Sequence, residues 1–167
     1  MIDTHCHLDD DAFSSDLDSV LETSRRDGIC AWVLIGYAPE RWDAAAAMSR
    51  GIPGMAHSLG VHPSHAHAWS PEIGDRLRRE LVETNAVAVG EFGLDFYRDN
   101  ASLEIQREAV IGQLEIAREL NLPAIFHMRD AEDEMLAILQ ERQPLPRMVF
   151  HSFDGSERLT RFVLDHD

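Results

Sequence analysis

With 167 residues, 44% of them hydrophobic, the chain has enough apolar material for one domain with a substantial core, and disorder is not its default state. Its formal net charge of −15 argues against broad electrostatic capture of a nucleic-acid duplex, because neutralising phosphates takes a basic surface. Two cysteines, Cys6 and Cys30, build no disulfide framework and no CxxC pair, and there is neither a signal-like start nor a run of about 18 apolar residues. A reducing cytoplasm is therefore expected, and a membrane location is not.

In chain order, short apolar segments alternate with longer amphipathic ones. Strands are predicted at Ile2–Cys6, Ala31–Ile35, Met55–Leu59, Ala86–Gly90, Ala124–His127 and Met148–Phe150. Helices are predicted at Ser14–Arg26, Pro39–Ser49, Pro71–Thr84, Ser102–Leu120 and Ala131–Gln140, with another opening near Ser156. Gly28, Asn85 and Asn121 serve as stop signals. Repeated βα units imply a parallel sheet. A closed (β/α)8 TIM-type barrel takes eight units and about 250 residues, so the expectation is such a barrel truncated to about six βα units. Residues 1–167 then form a single domain missing the last units, with open sheet edges that favour self-association.

The chemistry-bearing residues gather at strand ends. His5 and His7 are two apart on an extended segment, so both imidazoles face one side, where they either reach one metal ion or are incidental histidines. Cys6 faces the other way and reads as a buried structural thiol. Glu91 follows Ala86–Gly90 directly; it is either a carboxylate able to bridge two cations, and so the catalytic centre, or a hydrogen-bonding group at the barrel rim. Asp95 falls in the following loop, placed to orient a ligand or an arginine. His127 and His151 each close a short apolar strand. Alone, either is a structural histidine; together with His5, His7 and Glu91 they occupy one level of four units and read as metal ligands. Nitrogen and oxygen donors without thiolate suit one or two divalent ions such as Zn²⁺ or Mn²⁺, with Mg²⁺ less natural. His62, fixed by Pro63, reads as a phosphate contact or a loop hydrogen bond. Arg98 and Arg129 offer guanidinium forks for phosphate, or surface ion pairs. Asp9, Asp10 and Asp11 read as a solvated or helix-capping run, and His57 as structural.

Ile2-Asp-Thr-His-Cys-His-Leu-Asp9, Gly60-Val-His-Pro63, Val89-Gly-Glu-Phe-Gly-Leu-Asp95 and His151-Ser-Phe-Asp-Gly155, in that order, resemble successive signatures of the TatD-family deoxyribonucleases. Gln106-Arg107 through His127 is also similar to the family pattern. The resemblance implies an amidohydrolase-type barrel that cleaves DNA phosphodiesters through one or two divalent ions, with residues 1–167 as a single metal-dependent hydrolase domain missing the last βα units. It implies that His5 and His7 bind one ion, His127 and His151 the other, and that Glu91 bridges them. The family also carries an aspartate at the end of an eighth strand, which this chain does not reach, so Glu91, His127 and His151 form the more self-sufficient site. Ser152 stands where the family commonly has cysteine. DNA, met over a small footprint, is the expected substrate. The alternatives are a metal-dependent amidohydrolase or phosphoesterase acting on a small molecule, and a metal-binding remnant without turnover.

Overall fold

Strands that are apolar on both faces must be covered on both, and parallel neighbours need a crossover that returns the chain to the same end of the sheet. The computed structural model describes residues 1–98, 101–153 and 155–166, and repeats this unit along the chain. Asp154 of the His151–Gly155 motif lies outside the described residues. The strands are β1 (Ile2–Cys6), β2 (Ala31–Gly36), β3 (Met55–Leu59), β4 (Ala88–Asp95), β5 (Ala124–Arg129) and β6 (Met148–Phe150). The helices are α1 (Leu17–Arg26), α2 (Trp42–Gly51), α3 (Pro71–Glu83), α4 (Leu103–Glu119), α5 (Glu132–Glu141) and α6 (Glu157–Asp165), with short 3-10 turns at Asp11–Phe13, Pro39–Arg41 and Pro63–Ala68. The sheet is six-stranded in the order β1-β2-β3-β4-β5-β6, every neighbour parallel.

The helix boundaries follow local chemistry. Ser70, Ser102 and Ser156 each cap the helix that follows by accepting a backbone N–H, and Pro71 opens α3. Gly28, Asn85 and Asn121 adopt positive φ behind α1, α3 and α4. α1 starts later than the sequence pattern suggested, because Asp10 caps the 3-10 turn instead.

Two apolar clusters identify the two faces of the sheet. The larger one, between sheet and helices, contains Cys6, Leu34, Val89, Phe92, Leu94, Phe126 and Leu114. The smaller one, Ile35, Ala88 and Ile125 with Val33 and Tyr37 against it, lines the concave side. The sheet curls far enough that His5, on one edge strand, and His151, beyond the other, stack with ring centroids 3.5 Å apart. It is a curled part-barrel of the TIM type.

The sequence pattern ended β4 at Gly90 and put Asp95 in a loop; instead the strand runs on to Asp95, pairing with β5 as far as Asp95↔Arg129. The apolar alternation is interrupted because the register shifts between Gly90 and Phe92: Gly90 pairs with Ile125 and Phe92 with Phe126, leaving Glu91 as an extra residue. This β-bulge keeps Val89 and Phe92 both on the helix side while Glu91 turns to the concave side. Glycines let the strands approach here: a Cβ on Gly60 would lie 2.7 Å from Gly90 Cα, and one on Gly93 1.8 Å from the His127 carbonyl oxygen. Gly93→Ala is accordingly expected to cost roughly 3 kcal/mol of unfolding free energy by overpacking, read as a lowered urea midpoint with an unchanged slope.

Candidate metal centre

In a βα barrel the carboxyl ends of the strands face one mouth, and here they deliver the charged groups. Glu91 is 3% and Asp95 2% exposed. His127 Nδ1 is 2.8 Å from Glu91 Oε1, and its Nε2 is 3.3 Å from Asp95 Oδ2. Asp95 Oδ1 accepts the backbone N–H groups of Tyr97 and Arg98, both at 3.0 Å. Asp95 therefore orients His127 and pins the loop that carries Arg98. His5 Nε2 is 3.1 Å from Glu91 Oε2, but out of line for a hydrogen bond.

The geometry gathers the donors into two overlapping sets, His5/Glu91/His151 and His62/Glu91/His127, the ligand atoms of each lying within 4.8 Å of one another. Glu91 belongs to both. His151 is thus brought to His5 rather than to His127, and its Nε2 sits 3.0 Å from Ser152 Oγ. His7 joins neither set; its ring meets His5 edge-on at 5.2 Å and Tyr37 at 5.3 Å. His62, read from the sequence as a phosphate contact, stands 3.9 Å from Glu91 Oε1. Its Nδ1 accepts the Ser64 backbone N–H at 3.1 Å, which leaves the ring proton of the neutral form on Nε2, facing the cluster.

Arg98 and Arg129 lie farther out. Arg129 stacks on the exposed ring of Tyr97 at 3.6 Å. Cys6 is buried, with Sγ 3.4 Å from the Val33 carbonyl, and burial followed by the nearby Asp3 pushes its thiol up to about 12. His57 is buried between Ser49 Oγ and Thr84 Oγ1, a structural role. The acidic run divides: Asp10 caps a turn, whereas Asp9 is a buried partner of Arg41.

The residues present fit a divalent cation. Among the described residues His5 Nε2 and His7 Nδ1 are buried with no hydrogen-bond partner, and the sets supply imidazole and carboxylate without thiolate. If a cation replaced the proton between His127 Nδ1 and Glu91, Nε2–H would still donate to Asp95, the usual second partner of a metal-bound histidine.

Two supporting residues had no role in the sequence pattern: Gln113, and Gln106, which figured only in a family-like stretch. Gln113 on α4 accepts the Val61 N–H at 2.7 Å and donates to the Val61 carbonyl at 3.1 Å, fixing the residue before His62. Gln106 does the same for the Asp95 backbone, at 2.9 and 3.3 Å. The signal was present: two glutamines on the apolar face of α4, in one stripe with Val110 and Ala117.

A part-barrel with imidazoles around one buried carboxylate at its mouth defines a βα-barrel protein with a candidate metal centre. A model of the TatD related DNase family matches residues 2–167, and the chain belongs to that family. It is 35% identical over 162 residues to the 3'-5' ssDNA/RNA exonuclease TatD of Cronobacter sakazakii, covering 96% of this chain and 62% of that protein. It is 37% identical over 158 residues to the Erwinia billingiae protein of the same name, covering 93% and 60%. The crystal structure of YJJV, a TatD homologue from Escherichia coli K12, superposes with a TM-score of 0.90 at 30% identity, covering 99% of this chain and 65% of that one. The chain thus spans less than two thirds of the length of these relatives.

Burial pushes the Glu91 carboxyl up, but hydrogen bonding from His127, the approach of His5 and the surrounding imidazoles outweigh it and hold the group well below the usual range. His62 is lowered to about 4, by burial and then by His127; His7 and His151 are lowered by burial and then by His5. Because the ordinary histidine value is 6.5, the unfolded chain takes up protons below pH 6.5 that these rings refuse in the native state, His62 down to about 4. In the metal-free protein stability is therefore expected to fall as pH drops through that window. Urea midpoints measured with chelator present should show this, and His62→Gln should make the decline shallower.

Proposed function

We propose that this chain carries the metal centre of a hydrolase that cleaves DNA phosphodiesters, and that residues 1–167 act as one hydrolase domain. The observation that carries the reading is the bulged, buried Glu91, shared by two sets of imidazoles. The relatives named 3'-5' ssDNA/RNA exonuclease support single-stranded nucleic acid as the substrate class. In this reading His5, His151 and Glu91 hold one ion, His127 and Glu91 hold another, and His7 stands behind His5. The donor set favours Zn²⁺ or Mn²⁺ over Mg²⁺. Ions bound there supply positive charge to a phosphoryl oxygen and acidify water.

The chain's own residues supply position and protons. Glu91 stays ionised and keeps the imidazoles converged on one point. Asp95 holds the His127 ring and, through the Tyr97 and Arg98 backbone, the loop beside it. His62, neutral and protonated on Nε2, donates to a non-bridging phosphate oxygen. Arg98 and Arg129 meet neighbouring phosphates with their forked donors. Such local contacts suit a chain whose net charge is −15.

The test is cleavage of an end-labelled single-stranded oligonucleotide with Zn²⁺, Mn²⁺ or Mg²⁺ added. Glu91→Gln should lower the rate at least about 100-fold and Asp95→Asn about 10- to 100-fold. Metal-dependent cleavage that persists in both Glu91→Gln and His127→Asn removes this site from the reaction, and activity confined to carboxylic amides replaces the substrate class.

Free Cys6 and Cys30 support a cytoplasmic location, and no helix among the described residues is long and apolar enough to cross a membrane. β1 and β6 each pair on one side only among the described residues, which supports self-association through their outer edges. Sedimentation velocity should then show a concentration-dependent rise in mass; a constant monomer mass would overturn the association.

A further inference from the structure

Beside Glu91 a cavity of about 590 Å³ opens, lined by Tyr37, Arg41, His62, His65 and Arg98 among others. It is within the size range of small-ligand sites, and Glu91 is part of its wall. Its distinctive element is Arg41. Arg41 Nε donates to Asp9 Oδ2 at 2.9 Å and Nη2 to the Asp9 carbonyl at 2.8 Å, so two edges of the guanidinium are held and Nη1 has no hydrogen-bond partner among the described residues. The Asp9 side chain is only 4% exposed, and its Oδ1 is buried without a hydrogen-bond partner among the described residues. Burying a carboxylate so incompletely satisfied is a poor route to stability, which points to a positioning role for the pair.

Arg41 Cζ lies 5.3 Å from the centroid of the Tyr37 ring, and His65 tilts against that ring at 5.5 Å. A fixed guanidinium beside an aromatic ring is the combination that takes a phosphate together with the base next to it.

We propose that Asp9, Arg41 and Tyr37 form a nucleotide subsite adjoining the cluster: Arg41 binds a phosphate neighbouring the scissile one, and Tyr37 packs against the attached base. The proposal rests on the hydrolase reading and names residues that would seat the substrate. A base seated in the cavity has left its partner strand, which gives the single-stranded class proposed above a structural cause. The small footprint answers the charge of −15, since the phosphate meets Arg41 and Arg98 rather than a basic surface.

Binding is measured with chelator present, by fluorescence anisotropy of labelled hexathymidylate and by calorimetry with thymidine 5'-monophosphate and inorganic phosphate. Arg41→Lys keeps the charge opposite Asp9 but loses the fork, and is expected to weaken the oligonucleotide and the nucleotide about tenfold. The double variant Asp9→Asn/Arg41→Gln removes the buried pair as a unit and should do the same. Tyr37→Leu should weaken both nucleotide probes and spare inorganic phosphate. Native fold is verified by circular dichroism; if both Arg41 variants unfold, Tyr37→Leu decides. A wild-type chain that binds neither nucleotide probe, or folded variants that all bind within twofold of it, would overturn the subsite. Variant-dependent binding without any metal-dependent cleavage keeps the subsite and removes the hydrolase reading; cleavage with variant-independent binding does the reverse.

Discussion

One extra residue in β4 governs the chemistry of this molecule. Val89 and Phe92 both face the helices, so a regular strand could not hold two residues between them. The bulge at Gly90 and Glu91 absorbs the surplus and turns the carboxylate inward, onto the face it shares with His127, whose register partner is Gly93. That the strands can close around the bulge depends on Gly60, Gly90 and Gly93, which lack the side chains that would collide there. Were the bulge regularised, Glu91 would project into the helix layer and the histidines would converge on nothing.

The inward carboxylate then sets the electrostatics. A carboxylate this deep loses most of its hydration, a cost that only close partners can offset. They arrive from separate units: His5 from β1, His62 after β3 and His127 from β5, while His151 after β6 completes one of the donor sets. Burial in turn keeps His7 and His151 averse to protons, so they retain lone pairs near neutral pH, while His62 keeps a single proton on Nε2. One geometry thus accounts for an ionised carboxylate and for two donor sets that could hold a cation, in a chain that carries a large excess of negative charge elsewhere.

Precision at the site is borrowed from α4. Gln106 and Gln113 sit two helical turns apart on its buried face and bond the backbone of Asp95 and of Val61. The loops bearing Arg98 and His62 are therefore fastened to the longest helix rather than left to their own conformational preferences. Asp9 and Arg41 do the same across the mouth, tying the loop after β1 to the turn after β2.

The chain by itself determined the order of elements, because alternating short apolar runs and capped amphipathic stretches carry their own boundaries: β1, β3 and β6 fall at their predicted residues, and Ser70, Ser102, Gly28 and Asn121 act where local chemistry puts them. It also put a histidine or carboxylate near the carboxyl end of four strands, but left to the bulge whether Glu91 would face the mouth. What it left open was every relation across units. That β4 continues to Asp95, that His151 meets His5 while His62 meets Glu91, and that Asp9 is buried against Arg41 were decided only by tertiary structure. Curvature of the sheet and the register of one bulge fix those distances, and neither leaves a periodic trace in the sequence.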